Sequence, residues 1–399
     1  MKIIFKSKIL IALVFGACLS SVRLYAQEIN FISGDVHSAR EKAKESNKLI
    51  FVDAYTSWCG PCKWMAKNVF TNPEVAAVYN EKFVCLKLDM EKGDGVEFAQ
   101  KYDVNSYPTF LFLDAEGNRV HQTCGKKDAS AFIKDGKDAL VPETQLITFQ
   151  KRYDKGGEFE LSFLKTYATM LSNAGMNAAR VVDELVSHNS ATDLINKEDF
   201  YLLSEYAELG NKPFEFIKQY REKYEGMIGT NDYTQFIHSI FLAEAVRAAK
   251  NKASDQLEKT KELVQSYGIE NNGELIAHMD WKYAQIDKSN LFQAAKTYIE
   301  SYKMDDAAEL NNAAWAIFEN SNEMRQVEIA ADWSLKSVKL DRNYANTDTY
   351  AHLLSRLGRE DEAMSMARVS IDLGKKNNED TRETETLLKQ LESTKKPRK

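Results

Sequence analysis

Proline is scarce in this sequence: there are six in 399 residues, and only Pro213 and Pro397 lie beyond residue 142. With no alternating apolar pattern in those 257 residues either, that stretch argues against further sheet and for helices. Cysteine is scarce too. Five residues, of which Cys59, Cys62, Cys85 and Cys124 follow the first apolar run, are too few and too clustered for a disulfide framework. The six histidines are scattered, none three or four positions from another, and no second cysteine pair stands near the first, which argues against zinc. An excess of positive charge is missing as well. A formal charge of −6 makes the chain a poor candidate for nucleic acid, whose phosphates demand a basic face. Beyond the first residues no apolar stretch is long enough to cross a bilayer. The helical part carries no phosphate-binding glycine loop and no paired catalytic carboxylates, and no flavin or nicotinamide signature occurs.

What is present begins with a leader. Lys2, Lys6 and Lys8 precede the apolar run from Ile9 to Phe15, and small or polar residues lead to Leu24, Tyr25 and Ala26. This order of charge, short apolar run and small residue is that of a secretory signal at residues 1–26, with cleavage expected after Ala26. The alternative is a bacterial lipoprotein acylated at Cys18, for which Phe15 is a poor residue three places upstream. Cleavage removes four basic residues and takes the formal charge from −6 to −10. The expected location is the periplasm or cell envelope of a bacterium. The basic end, Lys395 to Lys399, reads as a solvated tail.

Residues 27–141 alternate between strand and helix patterns. Strands are expected at Ile29–Ile32, Lys48–Tyr55, Phe83–Asp89, Phe110–Leu113 and Arg119–Thr123. Helices are expected near Asp35–Ser46, Lys63–Phe70, Glu74–Asn80, Val96–Tyr102 and Ala129–Leu140. Cys59 and Cys62 fall where the second strand hands over to a helix. Of the three pairings open to four cysteines, close spacing favours Cys59 with Cys62. At a helix start the first thiolate is favoured by the positive end of the helix dipole, which makes Cys59 the attacking thiol and Cys62 the resolving one. Pro61 is tolerated because a first-turn N–H has no partner.

The segment Trp58, Cys59, Gly60, Pro61, Cys62, Lys63, with Pro108 after Tyr107 and 46 positions past Cys62, and Gly125 closing the last strand, resembles the thioredoxin family. The resemblance covers residues 29–141 and implies an α/β thioredoxin fold, a central mixed sheet flanked by helices. It implies that Asp53, six residues before Cys59, is the buried acid that takes the proton of the resolving cysteine, its pKa raised by desolvation. Lys87 matches the lysine that accompanies this acid, although a one-residue register shift would put Cys85 there. Pro108 matches a cis proline facing the cysteines, whose preceding backbone pairs with an extended substrate. Trp58, Gly60, Pro61, Tyr107 and Gly125 would line the contact surface. Cys85 reads as core, and Cys124 as an auxiliary thiol near the site. No cofactor is implied beyond the redox-active disulfide itself.

From 142 onward apolar residues recur at three and four, as in Phe159, Phe163, Tyr167 and Met170. Residues 142–305 are expected to form helical hairpins of 12 to 20 residues per helix, broken at Gly156–Gly157, Gly210–Asn211 and Asn272–Gly273. Residues 306–399 are similar to tetratricopeptide repeats. Tyr344–Lys376 resembles one repeat and Leu310–Asp341 a degenerate neighbour, with Trp315–Ala316 echoed by Tyr350–Ala351 after 35 positions and Leu340–Asp341 by Leu373–Gly374 after 33. The expected function is an exported thiol-disulfide oxidoreductase acting on protein disulfides. Its electrons would come from a membrane thiol relay, and its helical region would bind a partner or substrate. The alternatives are a helical scaffold with a redox-sensing domain, or a disulfide isomerase or oxidant.

Overall fold

Leu49–Tyr55, apolar at every position but one, becomes the central strand of a five-stranded sheet and is buried on both faces, as such a run must be. The computed structural model describes residues 28–188, 190–267 and 272–394. The leader, Cys18 and the basic tail lie outside them. The chain divides into two compact units, one ending at Ala191 and the other starting at Thr192.

In the first unit the order is β1 (Phe31–Ser33), α1 (Val36–Ser46), β2 (Leu49–Tyr55), α2 (Gly60–Asn68), α3 (Pro73–Lys82), β3 (Phe83–Asp89), α4 (Asp94–Tyr102), β4 (Thr109–Leu113), β5 (Arg119–Cys124) and α5 (Ala129–Leu140). The sheet runs β1-β3-β2-β4-β5, with β1 and β2 parallel to β3 and the β2–β4 and β4–β5 pairs antiparallel. This is the expected mixed α/β architecture. β1 lies two residues later than the sequence pattern suggests, because Ile29 N–H bonds to Phe70 O (2.9 Å) and Asn30 N–H to Asn80 Oδ1 (2.8 Å), both outside the sheet.

Strand parity sorts β2 between two cores. Ile50, Val52 and Ala54 join Leu86, Leu88, Phe98 and Leu111 on one face. Phe51 joins Met65 of α2, Tyr79 of α3, Phe110 and Phe132 of α5 on the other. Asp53, two positions from Phe51, therefore points to the face on which α2 lies. Tyr79 stacks on Phe132 with centroids 4.5 Å apart and donates its hydroxyl proton to Phe132 O.

Three further helices complete this unit: α6 (Leu146–Asp154), α7 (Leu161–Asn173) and α8 (Ala179–Val186). Phe149 and Phe159 stack on Phe163 at 5.4 and 5.0 Å and knit α6 to α7. Two side chains of β5 hold the group. Leu146 N–H donates to His121 Nδ1 at 3.2 Å, and Gln122 Nε2 donates to Ala174 O at 2.6 Å. Burial pushes the His121 imidazole down to about 4, so the folded protein holds it neutral as an acceptor. A base with a lowered folded pKa stabilises above its ordinary 6.5, and that contribution is lost as pH falls toward 4. A shift of this size corresponds to about 3 kcal/mol. Thermal melts from pH 7 to 4 should therefore show a steep loss of stability in the wild type and a shallower one in His121→Asn. Parallel slopes would mean that His121 is not the group responsible.

The second unit contains α9 (Lys197–Glu205), α10 (Lys212–Gln219), α11 (Arg221–Ile228), α12 (Thr230–Lys250), α13 (Ser254–Ser266), α14 (Asn272–Asp287), α15 (Leu291–Tyr298), a π-helical turn at Ile299–Lys303, α16 (Ala307–Asn320), α17 (Met324–Leu340), α18 (Tyr344–Arg356), α19 (Glu360–Asn377) and α20 (Arg382–Thr394). Several helices are shorter than expected: α8, α10 and α11 have eight residues each. The cause is local stop and start chemistry. Asn196 and Asn211 cap α9 and α10 through their side chains, and Gly229 stops α11 at φ +93°. Asn272–Gly273, expected as a break, instead opens α14.

The last hundred residues show two helix pairs whose starts, Ala307 and Tyr344, lie 37 positions apart, as do their ends, Leu340 and Asn377. The spacings of 35 and 33 read from residue types are corrected accordingly. Tyr350 is buried whereas Trp315 is only partly so, and the buried Ala314 and Ile317 of α16 instead correspond to Ala351 and Leu354 of α18. Among the described residues no helix is long and apolar enough to cross a membrane.

Candidate active site

At the end of β2 the chain turns on a bond from Cys59 N–H to Thr56 O (3.3 Å) and enters α2. Cys59 is the N-cap, in extended conformation, and its Sγ accepts the Cys62 N–H at 3.1 Å. That places a sulfur on the first-turn amides of α2, where negative charge is favoured by the helix dipole and by N–H groups lacking helical partners. Pro61 sits in the first turn, so α2 begins at Gly60, three residues before the expected start. Cys59 and Cys62 form a disulfide with Cα atoms 5.3 Å apart. Both are buried, while Gly60 and Pro61 between them are exposed and Trp58 is 65% exposed.

Asp53 is 2% exposed, with Lys87 Nζ 3.8 Å from its Oδ2. The parallel register pairs Asp53 with Lys87 and Phe51 with Cys85, so the lysine and not Cys85 faces the acid. Desolvation pushes the Asp53 carboxyl up to about 7, a rise that the nearby ammonium limits. The Lys87 ammonium also lies 4.8 Å from the Tyr55 ring centroid. Cys85 is core: its thiol reaches Tyr79 O, and burial pushes it up to about 12, which leaves it unreactive at neutral pH.

A second loop meets the dithiol loop from β4. Tyr107 stands edge-on to Trp58, ring centroids 6.0 Å apart, and the Tyr107–Pro108 peptide is cis. Gly125 N–H donates to Pro108 O at 2.8 Å with Gly125 at φ +84°, a conformation that a side chain would oppose. Cys124, beside it, is partly exposed and pairs in register with Thr109. The dithiol loop and the Tyr107–Pro108 loop thus meet at the Trp58–Tyr107 contact, with Gly125 bonded to Pro108, Asp53 and Lys87 paired in the sheet, and Cys85 in the core.

Sequence reasoning missed three neighbours. Glu91 accepts the Trp58 indole N–H at 2.8 Å, and Lys126 lies 4.5 Å from the centroid of Trp64, which is 37% exposed on α2. Ser106 O accepts the Thr109 hydroxyl at 2.7 Å. None had a motif to announce it, since each matters only through a contact made by folding. Among the described residues no group of three or more His, Cys, Asp or Glu side chains is placed to hold a metal ion.

A family model described as thioredoxin-like matches residues 31–115. The chain is 43% identical to Thioredoxin-1 of Drosophila melanogaster over 79 residues, which are 20% of this chain and 67% of that protein. It is 29% identical to the thiol:disulfide interchange protein DsbD of Pseudomonas fluorescens over 103 residues, 25% of this chain but only 18% of that one. A solved structure from Bacteroides thetaiotaomicron, described provisionally as a disulphide-isomerase, is 43% identical, with a TM-score of 0.27 and coverage of 29% of this chain and 95% of that chain. The family-model match falls on the sheet-containing part.

Proposed function

Because this chain belongs to the thioredoxin family through residues 31–115 and is a thiol-disulfide oxidoreductase, we propose that it is exported and reduces disulfides of other proteins with the Cys59–Cys62 dithiol. The observation that carries the reading is the sulfur of Cys59 capping α2, with a carboxyl that titrates near neutrality in the strand beneath that helix.

In the proposed cycle the Cys59 thiolate attacks one sulfur of the substrate disulfide. That S–S bond breaks, a mixed disulfide forms on Cys59, and the substrate's other sulfur leaves as a thiolate. The Cys62 thiol gives its proton to the Asp53 carboxylate and attacks Cys59 Sγ. The mixed disulfide breaks, leaving reduced substrate and an oxidised Cys59–Cys62 pair. Two electrons have moved from enzyme to substrate, and a thiol donor must return them. The likeness to DsbD, named as a thiol:disulfide interchange protein, supports thiol exchange as the route of those electrons, and the proposed donor is a membrane thiol relay. The leader at 1–26 supports export, and the helix pairs of the second unit support a surface for a partner or substrate.

The test is direct. Prereduced protein mixed with insulin should lose its two thiols in step with insulin's disulfides. With dithiothreitol as donor it should turn over many times, and with NADPH alone it should stop after one. Insulin left intact by the prereduced protein would sink the proposal.

A further inference from the structure

The α7–α8 turn touches the site described above. Gly175, at φ +66°, lies so close to two side chains that a Cβ there would stand 3.0 Å from Ser106 Oγ and 3.2 Å from Cys124 Sγ. Ser106 is two residues before Pro108. Cys124 is the strand neighbour of Thr109 and immediately precedes Gly125, whose N–H holds Pro108 O. The turn therefore bears on both chain segments that carry the loop facing Trp58. It is fixed there by Gln122, whose buried amide bonds Ala174 O at 2.6 Å, while His121 on the same strand anchors the start of α6.

We propose that this turn is a specificity element of the dithiol site. Gly175, as a positioning residue, sets the cis-proline loop for extended protein segments flanking a disulfide, and the turn forms an outer wall beside it. Three features carry the inference together: the close approach of a glycine backbone to Ser106 and Cys124, the buried Gln122 anchor, and the continuity from those residues to Tyr107 and Trp58. Ser106 and Gly175 are both exposed, so the contact lies at an open rim where a bound polypeptide would pass. The inference rests on the reading of the site as one that reduces protein disulfides.

The experiment uses the full chain, insulin as substrate and dithiothreitol as donor. Gly175→Ala should raise KM for insulin at least fivefold while kcat changes less than twofold. Adding Ser106→Ala, which removes the nearest oxygen, should bring KM part of the way back, the remainder reflecting the Cys124 Sγ contact at 3.2 Å and the strain of alanine at φ +66°. An unchanged KM, or a rise that Ser106→Ala does not lessen at all, overturns the inference and leaves the functional reading standing. If the wild type itself leaves insulin intact, the functional reading falls first and takes the inference with it. Should Gly175→Ala fail to fold, Gln122→Met removes an anchor without adding a clash and carries the same KM expectation, with unchanged KM as the overturning result.

Discussion

Replacing Cys59 with serine should reduce insulin turnover to the uncatalysed rate, a loss on the order of 10³-fold or more, as expected when a covalent nucleophile is removed. The Cys59 sulfur is the only part of the dithiol that sits on the first-turn amides of α2, and a serine hydroxyl there has no comparable tendency to ionise. Cys62→Ser should behave differently. The first step survives, because Cys59 keeps its cap position, but nothing resolves the mixed disulfide. The variant should therefore accumulate covalent complexes with protein substrates, visible as reducible high-mass bands and absent in the Cys59→Ser, Cys62→Ser double variant. If Cys62→Ser turned over insulin at the wild-type rate, the assignment of attacking and resolving thiols would be reversed or wrong.

Asp53→Asn should slow the resolving step by on the order of 10²-fold at pH 8, the low end of what a positioned base contributes. Since the Asp53 carboxyl titrates at about 7, the wild-type rate should rise through neutrality and level off above it, and the variant should lose that inflection. Lys87 holds the carboxyl down, so Lys87→Gln should move the inflection to higher pH. Stability should shift the opposite way from activity. The raised pKa means that the carboxyl costs nothing below its ordinary 3.8 and most above 7, by roughly 4 kcal/mol from a shift of this size. Asp53→Asn should therefore be more stable than wild type at pH 8, with the difference fading toward pH 4. Denaturant unfolding at the two pH values checks this, and a pH-independent difference would show that Asp53 is not the titrating group.

Much of the first unit was legible because its strands are short apolar runs and its turns carry Gly, Asn and Pro. β3 and α5 have the bounds that the pattern suggests. The burial of Asp53 was expected through the family resemblance, and the structure bears it out. Its partner was not legible in the same way, because choosing between Lys87 and Cys85 requires the β2–β3 register, which a parallel pair without a connecting hairpin leaves open to sequence. Gly175 has no motif around it that would single it out in the sequence. Its meaning depends on Ser106 and Cys124, 69 and 51 positions away, and no local periodicity carries information over that distance. Helix lengths in the second unit were overestimated because asparagine caps and single glycines cut a continuous apolar rhythm into pieces of two turns.

The anchoring of α6–α8 to β5 bears on modularity. The family-model match ends at residue 115 and the sheet ends at Cys124, yet His121 Nδ1 accepts from Leu146 N–H and Gln122 Nε2 donates to Ala174 O. A gene fragment stopping after α5 would strip both anchors of their partners and leave an imidazole and an amide that evolved under cover facing water. In this chain the redox unit runs to about residue 191, so a fragment that keeps both anchors paired has to include the three extra helices.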